Sequence, residues 1–144
     1  MKNNVFSLLL IAVLSAFTFA QGSDGARITF TKETHDFGSI KNAADGNCIF
    51  EFTNTGNSPL VISSVKPSCS CMVANWSKSP VAPGEKGTVS VMYDTKRPGP
   101  ISKSVTIRSN AVNEPTKMLR IRGNVAQPVE GASPVIKSET PETR

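Results

Sequence analysis

The sequence predicts an all-β domain, an immunoglobulin-like β-sandwich of about seven to eight strands, on three observations. Apolar and polar residues alternate along several separate stretches, the period-two signature of strands buried on one face. Clusters of Gly, Pro, Asn and Asp punctuate those stretches at short intervals, as turns do. No window of a dozen residues carries the 3.6-residue period of an amphipathic helix, and short strands spaced in this way are the pattern of a sandwich.

Arg27 to Lys32 opens the set, with Ile28 and Phe30 on one face. His35-Asp36-Phe37-Gly38 then interrupts it. Gly38 is free to take a positive φ, so a bend or bulge is expected there, with His35 as a turn residue bonded to backbone and Phe37 turned inward as a core plug. Asn47 to Asn54 is the clearest strand, placing Cys48, Phe50 and Phe52 inward. Thr55 to Pro59 reads as a turn, and Leu60 to Lys66 as the antiparallel neighbour of the preceding strand. Val65 to Glu85 follows as a loop-like connection holding Cys69, Cys71 and Trp76. Gly87 to Asp94 alternates Val89, Val91 and Tyr93 against Thr88, Ser90 and Met92. After a turn at Thr95 to Pro100, Ile101 to Ser109 points Ile101, Lys103, Val105 and Ile107 one way. Thr116 to Ala126 closes the domain with Leu119, Ile121 and Val125 inward, Arg120 and Arg122 outward, and Gly123 at a bulge or close backbone approach.

The domain is expected at residues 27–126, between two ends of different character. Residues 1–20 are basic at Lys2, apolar from Val5 to Phe19, and close on Thr18-Phe19-Ala20, which is the layout of a secretory signal peptide. The apolar run is shorter than the ~20 residues of a membrane-crossing helix, so no stable membrane insertion is expected after cleavage. Residues 127–144 are rich in Pro, Ser, Thr and Glu and read as a disordered tail. The net charge of +5 becomes +4 without Lys2. The basic residues are scattered along the chain, which argues against a nucleic-acid partner and for ordinary solvated strand faces.

Several motifs occur in one order: His35-Asp36-Phe37-Gly38, Phe52 to Leu60 (F-T-N-T-G-N-S-P-L), Pro67-Ser68-Cys69-Ser70-Cys71, Pro83-Gly84-Glu85, Gly99 and Ser109-Asn110. Together they resemble the DUF1573 family of exported bacterial proteins, related to the ASH and major-sperm-protein branch of immunoglobulin-like folds. The resemblance covers Ile28 to Val125 and implies a fold and a place outside the cytoplasm, in the periplasm or beyond, without an activity to carry over. Members commonly read Cys-Gly-Cys where this chain has Cys69-Ser70-Cys71, and Cys48 lies outside the pattern.

Three cysteines in an exported domain leave at least one free or paired between chains. In an extended backbone the Cα atoms of Cys69 and Cys71 would stand ~6.6 Å apart, so a direct bridge needs a kink, for which Pro67-Ser68 is placed. A bridge from Cys69 to Cys48 is a second arrangement, because both fall at the same end of neighbouring strands. A copper or zinc site on Cys69 and Cys71, with Met72 or His35 as a further ligand, is a third, and a free or redox-active pair a fourth. His35 is the only histidine. With no Ser-His-Asp order, no phosphate loop and no paired carboxylates, the ordinary catalytic sets lack their parts, and no catalytic or cofactor-binding residue is assigned. Trp76 is expected to cover the core edge beside the cysteines.

The reading that follows is a non-catalytic exported module that binds a protein or cell-envelope component and carries no cofactor. Its rival is a small copper-binding or thiol-redox protein using Cys69 and Cys71. A carbohydrate-binding sandwich is a third, and it would need Trp76 and Tyr93 as aromatic platforms.

Overall fold

The structure, a computed structural model, describes residues 24–129. The signal peptide expected at residues 1–20 and most of the tail expected at 127–144 lie outside the described residues. Eight strands follow in order: β1 (Ile28–Phe30), β2 (Thr34–Ile40), β3 (Asn47–Asn54), β4 (Ile62–Pro67), β5 (Met72–Trp76), β6 (Lys86–Tyr93), β7 (Gly99–Ser109) and β8 (Thr116–Val125). No helix occurs among the described residues. The strands form two four-stranded sheets, ordered β1-β3-β6-β5 and β2-β8-β7-β4. This is the immunoglobulin arrangement in which the first strand is split between the two sheets. All pairings are antiparallel except that of β2 with β8.

The core fills the space between the sheets. Val89, Val91 and Tyr93 of β6 and Leu119, Ile121 and Val125 of β8 are buried, as the alternation demands. Phe50 and Phe52 of β3 lie beside the β6 residues in the same sheet and add to this core. The chain changes sheet between Phe30 and Thr34, where Lys117 meets both Glu33 (2.6 Å) and Glu114 (2.7 Å).

At four places the structure departs from the expectation. β3 and β4 are not neighbours, because the chain crosses from one sheet to the other through Thr55 to Val61. Met72–Trp76 is a strand paired with β6, not a loop. β7 begins at Gly99, so the preceding turn ends sooner than expected. Phe37 is half-buried against the rim of the core, and His35 lies within β2, not in a turn, with its ring edge-on to Phe37 at 4.5 Å. The bulge itself falls between Asp36 and Ser39. There Gly38 has φ 62°, its N–H donates to Asp36 Oδ1 at 2.7 Å, and a side chain on Gly123 would meet Phe37 Cβ at 2.9 Å. The close approach of β2 to β8 uses up the room Phe37 would need to turn inward.

One end of the sandwich is knitted by asparagine amides. Asn54 is fully buried. Its Oδ1 accepts from the N–H of Gly56 (3.0 Å) and of Arg27 (3.3 Å), and its Nδ2 donates to the carbonyls of Ser58 (2.8 Å) and Val81 (2.9 Å). Asn110 joins Val61 N (2.7 Å) to Pro59 O (3.0 Å). Asn113 pairs with both backbone groups of Ile28 (3.0 and 2.8 Å), standing in for a strand neighbour. The motif stretch containing Asn54 therefore closes part-buried backbone, and the one containing Asn110 ties the exposed turn after β3 to the end of β7.

Candidate functional site

The other end carries the cysteines. β4 stops at Pro67 and the chain turns through Ser68 to Cys71 on its way to the opposite sheet. The turn is fastened to its surroundings: Ser68 N–H donates to Ser104 O (2.9 Å), Ser104 N–H to Ser68 Oγ (3.2 Å), and Asp94 N–H to Cys71 O (2.9 Å). It brings the Cα atoms of Cys69 and Cys71 to 5.2 Å, and their sulfurs form a disulfide. Among non-glycine residues only Ala43 has a positive φ in the described chain, so Ser70 occupies this turn in an ordinary backbone conformation.

The other candidates do not converge on this corner. Cys48 is a buried free thiol, and burial pushes its pKa up to about 11, which makes it a poor nucleophile at neutral pH. It sits on β3, separated from β5 by β6, while β4 belongs to the opposite sheet. Cys48 therefore lies at the same end of the sandwich as Cys69, as expected, but not on a neighbouring strand, and the bridge forms between Cys69 and Cys71 instead. Met72 is packed in the core, and His35 lies on β2, with β8 and β7 between it and β4. Burial, with Lys32 nearby, lowers the His35 pKa against a smaller opposing pull from Asp36. No three His, Cys, Asp or Glu side chains gather as a metal site among the described residues. In the disulfide form neither Cys69 nor Cys71 offers a thiolate. Trp76 packs on the core rim, bonds Ile62 O through Nε1 at 3.3 Å, and carries Lys78 Nζ 2.9 Å above its ring. Tyr93 is buried. The two aromatic residues expected as sugar platforms are therefore covered.

The outer faces of the two sheets differ in chemistry, a contrast the sequence reading missed. On the β1-β3-β6-β5 sheet, Ile49, Val73 and Met92 are 65%, 67% and 53% exposed. Val73 stands directly opposite Met92, and Ile49 pairs with Ser90, diagonal to Met92. Diagonal neighbours are within reach of long side chains. The ion pair Lys86–Glu51 (2.8 Å) neutralises charge on the same face and holds the Glu51 carboxyl below its usual pKa. The outer face of the β2-β8-β7-β4 sheet instead carries Lys66, Arg108, Arg120 and Arg122, in register with Thr106, Ser64, Ser104 and Ser102 respectively.

Residues 28–125 match the model of a family described as a protein of unknown function, DUF1573. The chain belongs to the DUF1573 family. Among solved structures, this DUF1573 chain is similar to a protein of unknown function from Porphyromonas gingivalis W83, with a TM-score of 0.62 at 16% identity over 70% of this chain and 47% of that one. It is also similar to the ASH/PapD-like domain 7 of human CEP192, with a TM-score of 0.55 at 11% identity over 70% of this chain and 86% of that one. The secreted serine protease VesC from Vibrio cholerae matches with a TM-score of 0.53 at 15% identity over 69% of this chain and 23% of that one. These likenesses show the fold. The chain spans under half of the Porphyromonas protein and under a quarter of VesC. No curated protein matches it.

Proposed function

We propose that this chain is an exported, non-catalytic immunoglobulin-like module that binds another protein of the cell envelope through the outer face of the β1-β3-β6-β5 sheet. The observation that carries the reading is the adjacency of the exposed Ile49, Val73 and Met92. Apolar side chains gathered on one face of a small domain mark interaction surfaces more often than scattered ones do. Val73 belongs to β5, whose outer edge has no strand paired with it among the described residues, so a partner could seat on the patch and extend the sheet in one move. A depression of about 300 Å³ lined by Asn75, Trp76, Ser77, Thr88 and Ser90 adjoins it. Export is supported by the signal-like residues 1–20 and by a disulfide, which suits an oxidising compartment. No helix among the described residues is long and apolar enough to cross a membrane.

Site-specific photo-cross-linking in the native host tests this. A photoreactive residue at Val73 should give one discrete protein adduct that is lost in an Ile49→Asp, Met92→Asp background, and the same residue at Ser102 should not give it. No adduct from Val73, or the same adduct from both faces, would refute the reading.

A further inference from the structure

The basic residues are scattered in sequence yet converge in space. Alternation along β8 sends Arg120 and Arg122 outward, and the cross-strand register adds Arg108 of β7 and Lys66 of β4 to the same face. None of these four has an ion-pair partner among the described residues. Asp36, in register with Arg122, is the carboxylate of this face, and its Oδ1 is engaged by the backbone N–H of Gly38 at 2.7 Å. The surface between the cations is made of hydroxyls: Ser102 opposite Arg122, Ser104 opposite Arg120, and Thr106 opposite Met118. Where β4 leaves the sheet, a depression of about 160 Å³ opens, lined by Ser68, Ser102, Ser104, Arg120 and Arg122 with Met118 at its side.

We infer that this face binds an acidic polysaccharide, one that carries carboxylates along its chain. Planar guanidinium groups suit carboxylates, which they engage with two parallel hydrogen bonds. Arg120 and Arg122 alternate on one strand, so their Cα atoms stand ~6.6 Å apart, which presents a row of charge to a polymer. The serine and threonine hydroxyls, each both donor and acceptor, match the hydroxyls of sugar rings. The depression of about 160 Å³ is far above the ~10–15 Å³ that one water needs on the same measure, so part of a sugar ring can enter it. Met118 is the exposed large hydrophobic side chain of this face, which gives a protein partner little apolar area to bury. No aromatic side chain stands on the face among the described residues to stack on bases, as single-stranded nucleic acid would require, whereas an acidic polysaccharide held by its carboxylates and hydroxyls, unlike a neutral sugar, needs no such platform. The inference is independent of the apolar patch, which lies on the opposite sheet.

The test uses the intact protein in physiological salt with polygalacturonate as probe, neutral dextran as blank and duplex DNA as competitor class. Polygalacturonate should bind, with affinity that weakens as salt rises. Arg120→Glu, Arg122→Glu should weaken it about tenfold or more, several surface charge interactions being lost together. Lys96→Glu, Arg97→Glu changes net charge equally in the turn after β6 and should stay within about twofold of the parent. If the double glutamate variant does not fold by its melting profile, Lys66→Gln, Arg122→Gln replaces it, with a smaller loss expected. No binding to polygalacturonate, equal losses from both charge reversals, or tighter binding to duplex DNA would each overturn the assignment. None of these three outcomes alters the cross-link expected from Val73, so the two readings fail separately.

Discussion

The sandwich is closed by hydrogen-bonding amides at one end and by a covalent bond at the other, and the non-covalent end is expected to matter more. Asn54 alone serves four backbone groups drawn from the β1 entry, the turn after β3 and the approach to β6. Losing it leaves the part-buried N–H groups of Arg27 and Gly56 and the Ser58 carbonyl without that partner, while the Val81 carbonyl keeps Leu60 N–H, and each group left unsatisfied costs about 1–3 kcal/mol. The Cys69–Cys71 bridge spans a sequence separation of 2. Chain entropy removed from the unfolded state grows with the size of the closed loop, so a ring this small constrains little that the backbone does not already constrain. A bond's strength and its contribution to folding are separate quantities, and here they run in opposite order.

Three measurements would break or sharpen that comparison. The largest effect is expected from Asn54→Ala, which should lower unfolding stability by about 3 kcal/mol in denaturant titrations. A loss below about 1 kcal/mol would mean that water or a local shift satisfies the stranded groups. Cys69→Ser, Cys71→Ser should lose less, about 1.5 kcal/mol by the loop-entropy relation. The protein should keep its fold, and non-reducing peptide mapping of the parent should find Cys48 as the free thiol. If the double serine variant were less stable than Asn54→Ala, the ranking of the two ends would be reversed. The smallest effect belongs to neither end. The His35 pKa is lowered in the folded state by burial and by Lys32, so on acidification the unfolded chain takes up the proton first. Stability contributed by neutral His35 is thus present above the unfolded value of about 6.5 and declines as pH falls below it. A melting temperature that drops between pH 8 and pH 5.5, with part of the drop absent in His35→Gln, is the expected result. An identical drop in both proteins would assign it to other groups.

What the sequence determined by itself is what depends on neighbours along the chain. Side-chain direction in a strand follows a two-residue period, so the inward faces of β3, β6, β7 and β8 were legible from alternation alone, as was the need for a special backbone at Gly38. What only the tertiary structure decided depends on pairing across the chain. Thr55 to Pro59 reads as a turn whether the next strand doubles back beside β3 or crosses to the other sheet, and the answer rests on which buried face each strand has to cover. Met72–Trp76 is too short to display a period, and becomes a strand because β6 offers it a partner. Asn54 reads as the last residue of a strand and nothing more until the Val81 carbonyl and the β1 entry arrive beside it. The basic face is likewise invisible in order, since Lys66 and Arg120 meet through the register of β4 on β7 and of β7 on β8, and register is settled by the packing of the whole sandwich.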